Sequence, residues 1–205
     1  MFRVSIDELS LMEEKNHPSF YAKHAGAWRK WLQLNHAKEK NVWLILYHKA
    51  SSTPSVVYAD AVEEALCFGW IDSKPNKRNH ESYYLFFAPR KPRSVWSKIN
   101  KQRIEKLMKA GRMEPSGLEK IEQAKRDGSW TKLDAIEELV MPAPLAKAFK
   151  ADKTARKNFD LFPPGVKKGI YQWIESAKTE NTLQKRVTET VTLAAQNIRA
   201  NQWRK

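Results

Sequence analysis

An α+β fold is what the sequence predicts: a small antiparallel sheet with packed helices over residues 1–141, then a helical C-terminal module over 142–205. Three observations carry this. Residues 42–47 and 83–87 are short β-branched and aromatic runs of strand length. Between them lie stretches whose apolar residues recur at the helical spacing of i, i+3 and i+4. From residue 94 onward only the helical period remains, which confines the strands to the first half of the chain.

Taken in order, residues 1–19 show little periodicity and read as an arm or edge segment closed by His17-Pro18. Residues 25–36 carry Trp28, Trp31 and Leu32 on one helical face, and 38–41 form a polar turn. The run 42–47 is a buried strand and 51–55 a loop. A helix then starts near Tyr58 or Asp60, with Asp60 placed to cap it, and stops at Gly69 in the left-handed conformation. Residues 70–72 leave extended, 74–80 make a polar, basic turn, and 83–87 pair back as the second strand.

The helix expected from residue 94 holds Trp96, Ile99, Ile104, Leu107 and Met108 on one face and ends at Gly111. Pro115 suits the first position of the next, which carries Leu118, Ile121 and Ala124 and ends at Gly128. Residues 130–141 form a connector with a short amphipathic piece around Ile136 and Leu139. Pro142-Ala143-Pro144 marks the domain boundary. Three or four short helices are expected after it, with stripes around Leu145 and Phe149, after a cap at Asp152, after Pro163-Pro164, and along Leu183, Val187, Val191 and Ile198.

The formal charge of +14 is unevenly placed. Residues 74–112 hold 12 Lys/Arg against 2 Asp/Glu, whereas residues 1–73 hold 8 against 9. A segment this basic attracts phosphate, nucleic acid or another anionic surface, or else is a solvated helix face that keeps the protein soluble. Cys67 is the one cysteine, so no intramolecular disulfide and no cysteine metal cage is available. No apolar run reaches the roughly 20 residues of a membrane-spanning helix, and residues 1–14 are too acidic and interrupted for a secretory signal. The expectation is a soluble, cytoplasmic protein.

Catalytic signatures are absent from the sequence. Cys67 falls at a helix C-terminus, where the dipole disfavours a thiolate, so it reads as a small core residue and no catalytic residue is assigned. The five histidines form no metal-binding pair, and no glycine-rich phosphate cradle occurs, so neither metal nor cofactor is expected.

Several strings, in order, resemble a known family. They are Trp31-Leu32-x-x-Asn35-His36, Val42-Trp43-Leu44, Ala61-Val62-Glu63-Glu64-Ala65-Leu66-Cys67-Phe68-Gly69-Trp70-Ile71-Asp72-Ser73, and Pro89-Arg90-Lys91-Pro92-x-Ser94-x-Trp96-Ser97-x-x-Asn100-Lys101-x-Arg103. With Ala124-Lys125-x-Asp127-Gly128-x-Trp130 and the stretch from Trp173 to Glu189, they resemble the bacterial YdeI/OmpD-associated, or bacteriocin-protection, family over roughly residues 20–199. The resemblance implies a role in survival against bacteriocins or cationic peptides. It implies no catalytic residue.

The residues themselves point to an anion site. Arg90, Lys91 and Arg93 precede an expected helix start holding Trp96, Ser97, Asn100, Lys101 and Arg103. Free amides at a helix start, arginines delivered there and a tryptophan face make a pocket for phosphate or carboxylate. Trp70 and Trp96 would wall it, and Asp72 would orient Arg90 or Arg93, or else simply cap a turn. The leading expectation is therefore a non-enzymatic binding protein with an anion-binding basic surface, acting in bacteriocin or envelope stress. The alternatives are a nucleic-acid-associated regulator using residues 74–112 and an enzyme acting on a small anionic metabolite.

Overall fold

The computed structural model describes residues 18–202, and most of the expected N-terminal arm lies outside the described residues. Within them the fold class is α+β. Four strands, β1 (Ser19–Tyr21), β2 (Val42–Tyr47), β3 (Trp70–Lys77) and β4 (Ser82–Pro89), form one sheet in the order β1-β2-β4-β3. β4 pairs antiparallel with both β2 and β3, while β1 runs parallel to β2 with Phe20 opposite Leu44. The sheet is thus mixed where an antiparallel one was expected. A strand of three residues is too short to show an alternating pattern in the sequence. The expected turn over 74–80 is also shorter, because β3 continues to Lys77.

The chain divides into two compact units. One runs to Ser94 and resumes from Ile99 to Trp130; the other comprises Val95–Lys98 and the chain from Thr131 onward. The division falls at Trp130 and not at Pro142. Ile136 accounts for this: it is buried in the core of the second unit, with Leu133, Leu139 and Met141 packed around it. Pro142 instead holds the N-cap position of a helix.

In the first unit, Val42, Leu44 and Leu46 stand opposite Phe87, Leu85 and Tyr83, so one face of the sheet is a continuous apolar surface. Helix α1 (Ala25–Asn35) packs Trp28 against Phe87, with ring centroids 5.3 Å apart. The Trp28 indole N–H donates to the Ala61 carbonyl at 3.0 Å, which ties α1 to α2 (Tyr58–Cys67). Val57, not Asp60, sits at the N-cap of α2, and Asp60 lies in its first turn, where a carboxylate still favours the helix dipole. Gly69 ends the helix at φ +75° as the pattern required. Helix α3 (Lys98–Lys109) starts four residues later than expected, and α4 (Pro115–Arg126) follows.

The second unit is helical: α5 (Asp134–Glu137), α6 (Ala143–Phe149), α7 (Lys153–Asp160), α8 (Pro164–Glu175) and α9 (Glu180–Ala195). Phe159 is its centre, within 5.1–5.9 Å of the rings of Phe149, Phe162 and Tyr171. Burying such a ring stabilises the unit by about 2–3 kcal/mol. Asp152 caps α7 by accepting from the Ala155 amide at 2.8 Å, as its position in the sequence indicated. Asn158 donates to the Ala194 carbonyl at 2.9 Å and so closes the end of α9.

One contact in the first unit tolerates no side chain. A β-carbon at Gly117 of α4 would lie 2.2 Å from the Cys67 carbonyl oxygen, and both atoms belong to helix backbone that cannot give way cheaply. Gly169 of α8 has open space around it. Gly117→Ala is therefore expected to cost about 2 kcal/mol or more. Gly169→Ala should stabilise by about 0.5–1 kcal/mol through helix propensity. Equilibrium urea unfolding of both variants checks this, and equal midpoints for the two would contradict the packing described.

Candidate ligand cleft

The first unit carries a cleft of about 630 Å³ on the apolar face of the sheet, beside the first turn of α2. Its floor is Leu85 and Tyr83 of β4, which share that face with Phe87 because side chains alternate along a strand. Tyr58, the first residue of α2, forms one wall, and His48 stacks on Tyr83 with ring centroids 5.3 Å apart. The far lip is β3, where the register shifts between Asp72 and Pro75. β3 is an edge strand, so it accommodates both this bulge and a proline. The bulge places Ser73 and Pro75 on the cleft, with Asn76 and Lys77 beyond them.

Polar chemistry converges on Asp72. Its carboxylate accepts from the Tyr58 hydroxyl at 2.9 Å. Burial, and then donation to Asp72, push the Tyr58 phenol above the usual tyrosine range, while Arg103 pulls it back. Burial alone raises Tyr83. Arg90 is only 5% exposed, and burial pushes its guanidinium down to about 10, with the Asp72 carboxylate working the other way. Asp72 is thus the electrostatic partner of Arg90, and Tyr58 lies within electrostatic reach of Arg103.

The expected site residues are dispersed by the fold. Trp70 is buried and donates its indole N–H to the His36 carbonyl at 3.2 Å, so it is a core anchor and walls no pocket. Trp96 is 1% exposed and is likewise shut off from solvent. Both are bulky apolar rings whose burial outweighs any display at the surface. Trp96 and Ser97 also precede α3, which begins at Lys98, so they are not in its first turn. Arg93 is exposed at φ 61° and its amide donates to Asp127 at 3.0 Å, away from Asp72. Lys91 is exposed, and its carbonyl accepts from the Ser94 hydroxyl at 2.8 Å. On α3, Arg103 donates to the Asn100 side chain at 2.9 Å and Lys101 lies over the Trp130 ring at 5.3 Å. Of the expected set only Asp72 lines the cleft, while Arg90 and Arg103 act on Asp72 and Tyr58 through their charge alone.

The residues missed were Tyr58, Tyr83, His48 and Lys77. Tyr83 carried a signal: it takes the core-facing parity of Leu85 and Phe87 yet bears a polar tip at the end of the strand.

Cys67 is fully buried, and burial, the largest influence, raises its thiol despite the nearby Arg29. A raised, inaccessible thiol is a poor nucleophile. Among the described residues no group of three or more His, Cys, Asp or Glu side chains is arranged to hold a metal ion. Among them, too, no helix is long and apolar enough to cross a membrane.

Comparison with known families separates the two halves of the chain. Residues 138–197 match the family described as Bacteriocin-protection, YdeI or OmpD-Associated. This C-terminal part is similar to the YdeI/OmpD-associated family. Residues 20–120, which contain the whole cleft, match a different family, a domain of unknown function designated DUF8412. The expected resemblance over residues 20–199 is thus matched at residues 138–197, whereas the strings quoted between Trp31 and Arg103 fall within the domain of unknown function. No curated protein and no solved structure gives a significant match.

The Tyr58–Asp72 bond has a titration signature. The Tyr58 pKa is raised in the folded protein, so its contribution to stability is fully present below the unfolded tyrosine value of about 10 and is lost as pH rises through the folded value. Asp72→Asn removes the charged acceptor and should bring the Tyr58 titration down. Ultraviolet difference titration of the wild type, Tyr58→Phe and Asp72→Asn reads this, and an unshifted phenol in Asp72→Asn would show that the bond does not form.

Proposed function

We propose that the protein is a binding protein with a bacteriocin-protection-related role in the cytoplasm, and that the cleft beside Tyr58 takes a small organic anion with a flat apolar body. The observation that carries this reading is the combination of aromatic walls and charge balance at one concave site. Tyr58, Tyr83 and His48 offer flat faces, and such rings bind planar groups at little entropic cost. One carboxylate, Asp72, and one cation, Lys77, line the cleft, and the charges of Arg90 and Arg103 reach Asp72 and Tyr58 from outside it, so the local balance is positive. The YdeI/OmpD-associated match supports the wider role.

The basic segment supports a nucleic-acid reading less well, because the fold scatters its cations. Arg112 pairs with Glu64 at 2.5 Å, Lys106 with Glu63 at 3.2 Å, and Lys109 with Glu105 at 3.0 Å. Arg90 is buried and Lys101 lies on Trp130. What is left is not a continuous stripe that tracks a phosphate backbone.

The experiment is calorimetric titration with phenyl phosphate, benzoate, inorganic phosphate and short duplex DNA. Phenyl phosphate or benzoate should bind more tightly than inorganic phosphate. Tyr83→Ala and Lys77→Ala should each weaken that binding by about 5–10-fold, roughly 1 kcal/mol. Heat from DNA alone, with a steep salt slope and indifference to both variants, would replace this reading with the nucleic-acid one.

A further inference from the structure

The second unit carries a basic groove that the cleft does not explain. It has a volume of about 810 Å³ and is formed where the end of α6 meets α7. Its floor is apolar, made of Ala146 and Phe149 with Leu161 at one end, and its rim holds Lys150, Lys153, Arg156 and Lys157. Lys153, Arg156 and Lys157 follow at i, i+3 and i+4, so α7 turns all three toward one side. The one acidic residue on the groove, Asp160, is bound to Arg156 at 2.7 Å. Among the described residues Lys150, Lys153 and Lys157 have no ion-pair partner.

Lys157 suits the last turn of α7, but the arrangement at the start of the helix works against it. Lys153 stands in the first turn of α7, where the dipole favours an acid, and Lys153 and Lys157 are like charges one turn apart. Leu161 is 76% exposed beside them. Local choices that disagree with the stability of their own element mark a surface with another use.

We infer that this groove is a docking site for a short acidic peptide segment that also carries apolar side chains. Charge complementarity selects the acidic partner, and the apolar floor with Leu161 selects the hydrophobic groups between its carboxylates. The same features disfavour the other polyanions. No exposed ring lines the groove to stack a base, since Phe149 is only 2% exposed. A lipid surface is flat, whereas this site is concave with a single projecting leucine.

The test uses the full chain and a fluorescein-labelled peptide of alternating glutamate and leucine, followed by anisotropy. Labelled single-stranded DNA and vesicles of anionic phosphatidylglycerol serve as competing probes. The peptide should bind best, and its affinity should fall as salt rises from about 50 to about 300 mM. Lys153→Glu with Lys157→Glu should weaken it roughly tenfold or more. The unfolding midpoint of that variant should be nearly unchanged, because the acid gained at the exposed start of α7 offsets the one gained in its exposed last turn. Leu161→Ala should weaken binding by about threefold through lost apolar contact. Tyr83→Ala should leave peptide binding untouched, which separates this groove from the cleft. Peptide binding that is absent, that survives charge reversal, or that is weaker than binding of DNA or vesicles overturns the inference.

Discussion

The first unit depends on one buried carboxylate. Glu64 is 3% exposed in the middle of α2, a position that a charge occupies only when strongly paired. Arg29 of α1 reaches it at 2.9 Å, and Arg112, just after α3, reaches it at 2.5 Å. Arg29 also donates to the Arg112 carbonyl at 3.1 Å and pairs with Glu114 at the N-cap of α4. Glu64 therefore ties α2 to α1 and to the end of α3, Arg29 carries the network on to α4, and removing Glu64 would leave Arg29 to Glu114 and Arg112 to the more distant Glu63. The Glu114 amide bonds to the Cys67 carbonyl at 3.0 Å, and Gly117 lets α4 approach that same carbonyl. With the end of α2 held there, Gly69 can turn the chain into β3, and the start of α2 places Tyr58 over the sheet.

That chain of dependence explains which features were legible in the sequence. Periodicity located α1, β2, β4 and the C-terminal helices because each buries a stripe that local spacing reveals. Gly69 and Asp152 were legible because turn and cap chemistry is also local. The mixed sheet was not, since β1 has only three residues. The boundary at Trp130 was hidden because Ile136 and Leu139 look the same whichever core takes them. The site was the least legible part. Charge density along residues 74–112 is a one-dimensional quantity, and it hid the fact that Arg112 and Lys106 turn toward Glu64 and Glu63. Tyr58 and Asp72 lie far apart along the chain, and only the folded path from Gly69 into β3 brings a phenol and a carboxylate within 2.9 Å.

The two halves offer different chemistry. The first unit holds a concave cleft with aromatic walls, of a size suited to a small molecule. The second, whose residues 138–197 match the YdeI/OmpD-associated family, holds a groove rimmed by three lysines that have no ion-pair partner among the described residues.

The most direct test of the cleft is residue-resolved amide NMR during titration with phenyl phosphate. The account predicts saturable shifts largest at His48, Tyr58, Asp72, Lys77, Tyr83 and Leu85, with Arg93 and Lys91 nearly still. Shifts confined to Lys91, Arg93 and the start of α3, or no saturable shift at any residue, would contradict it.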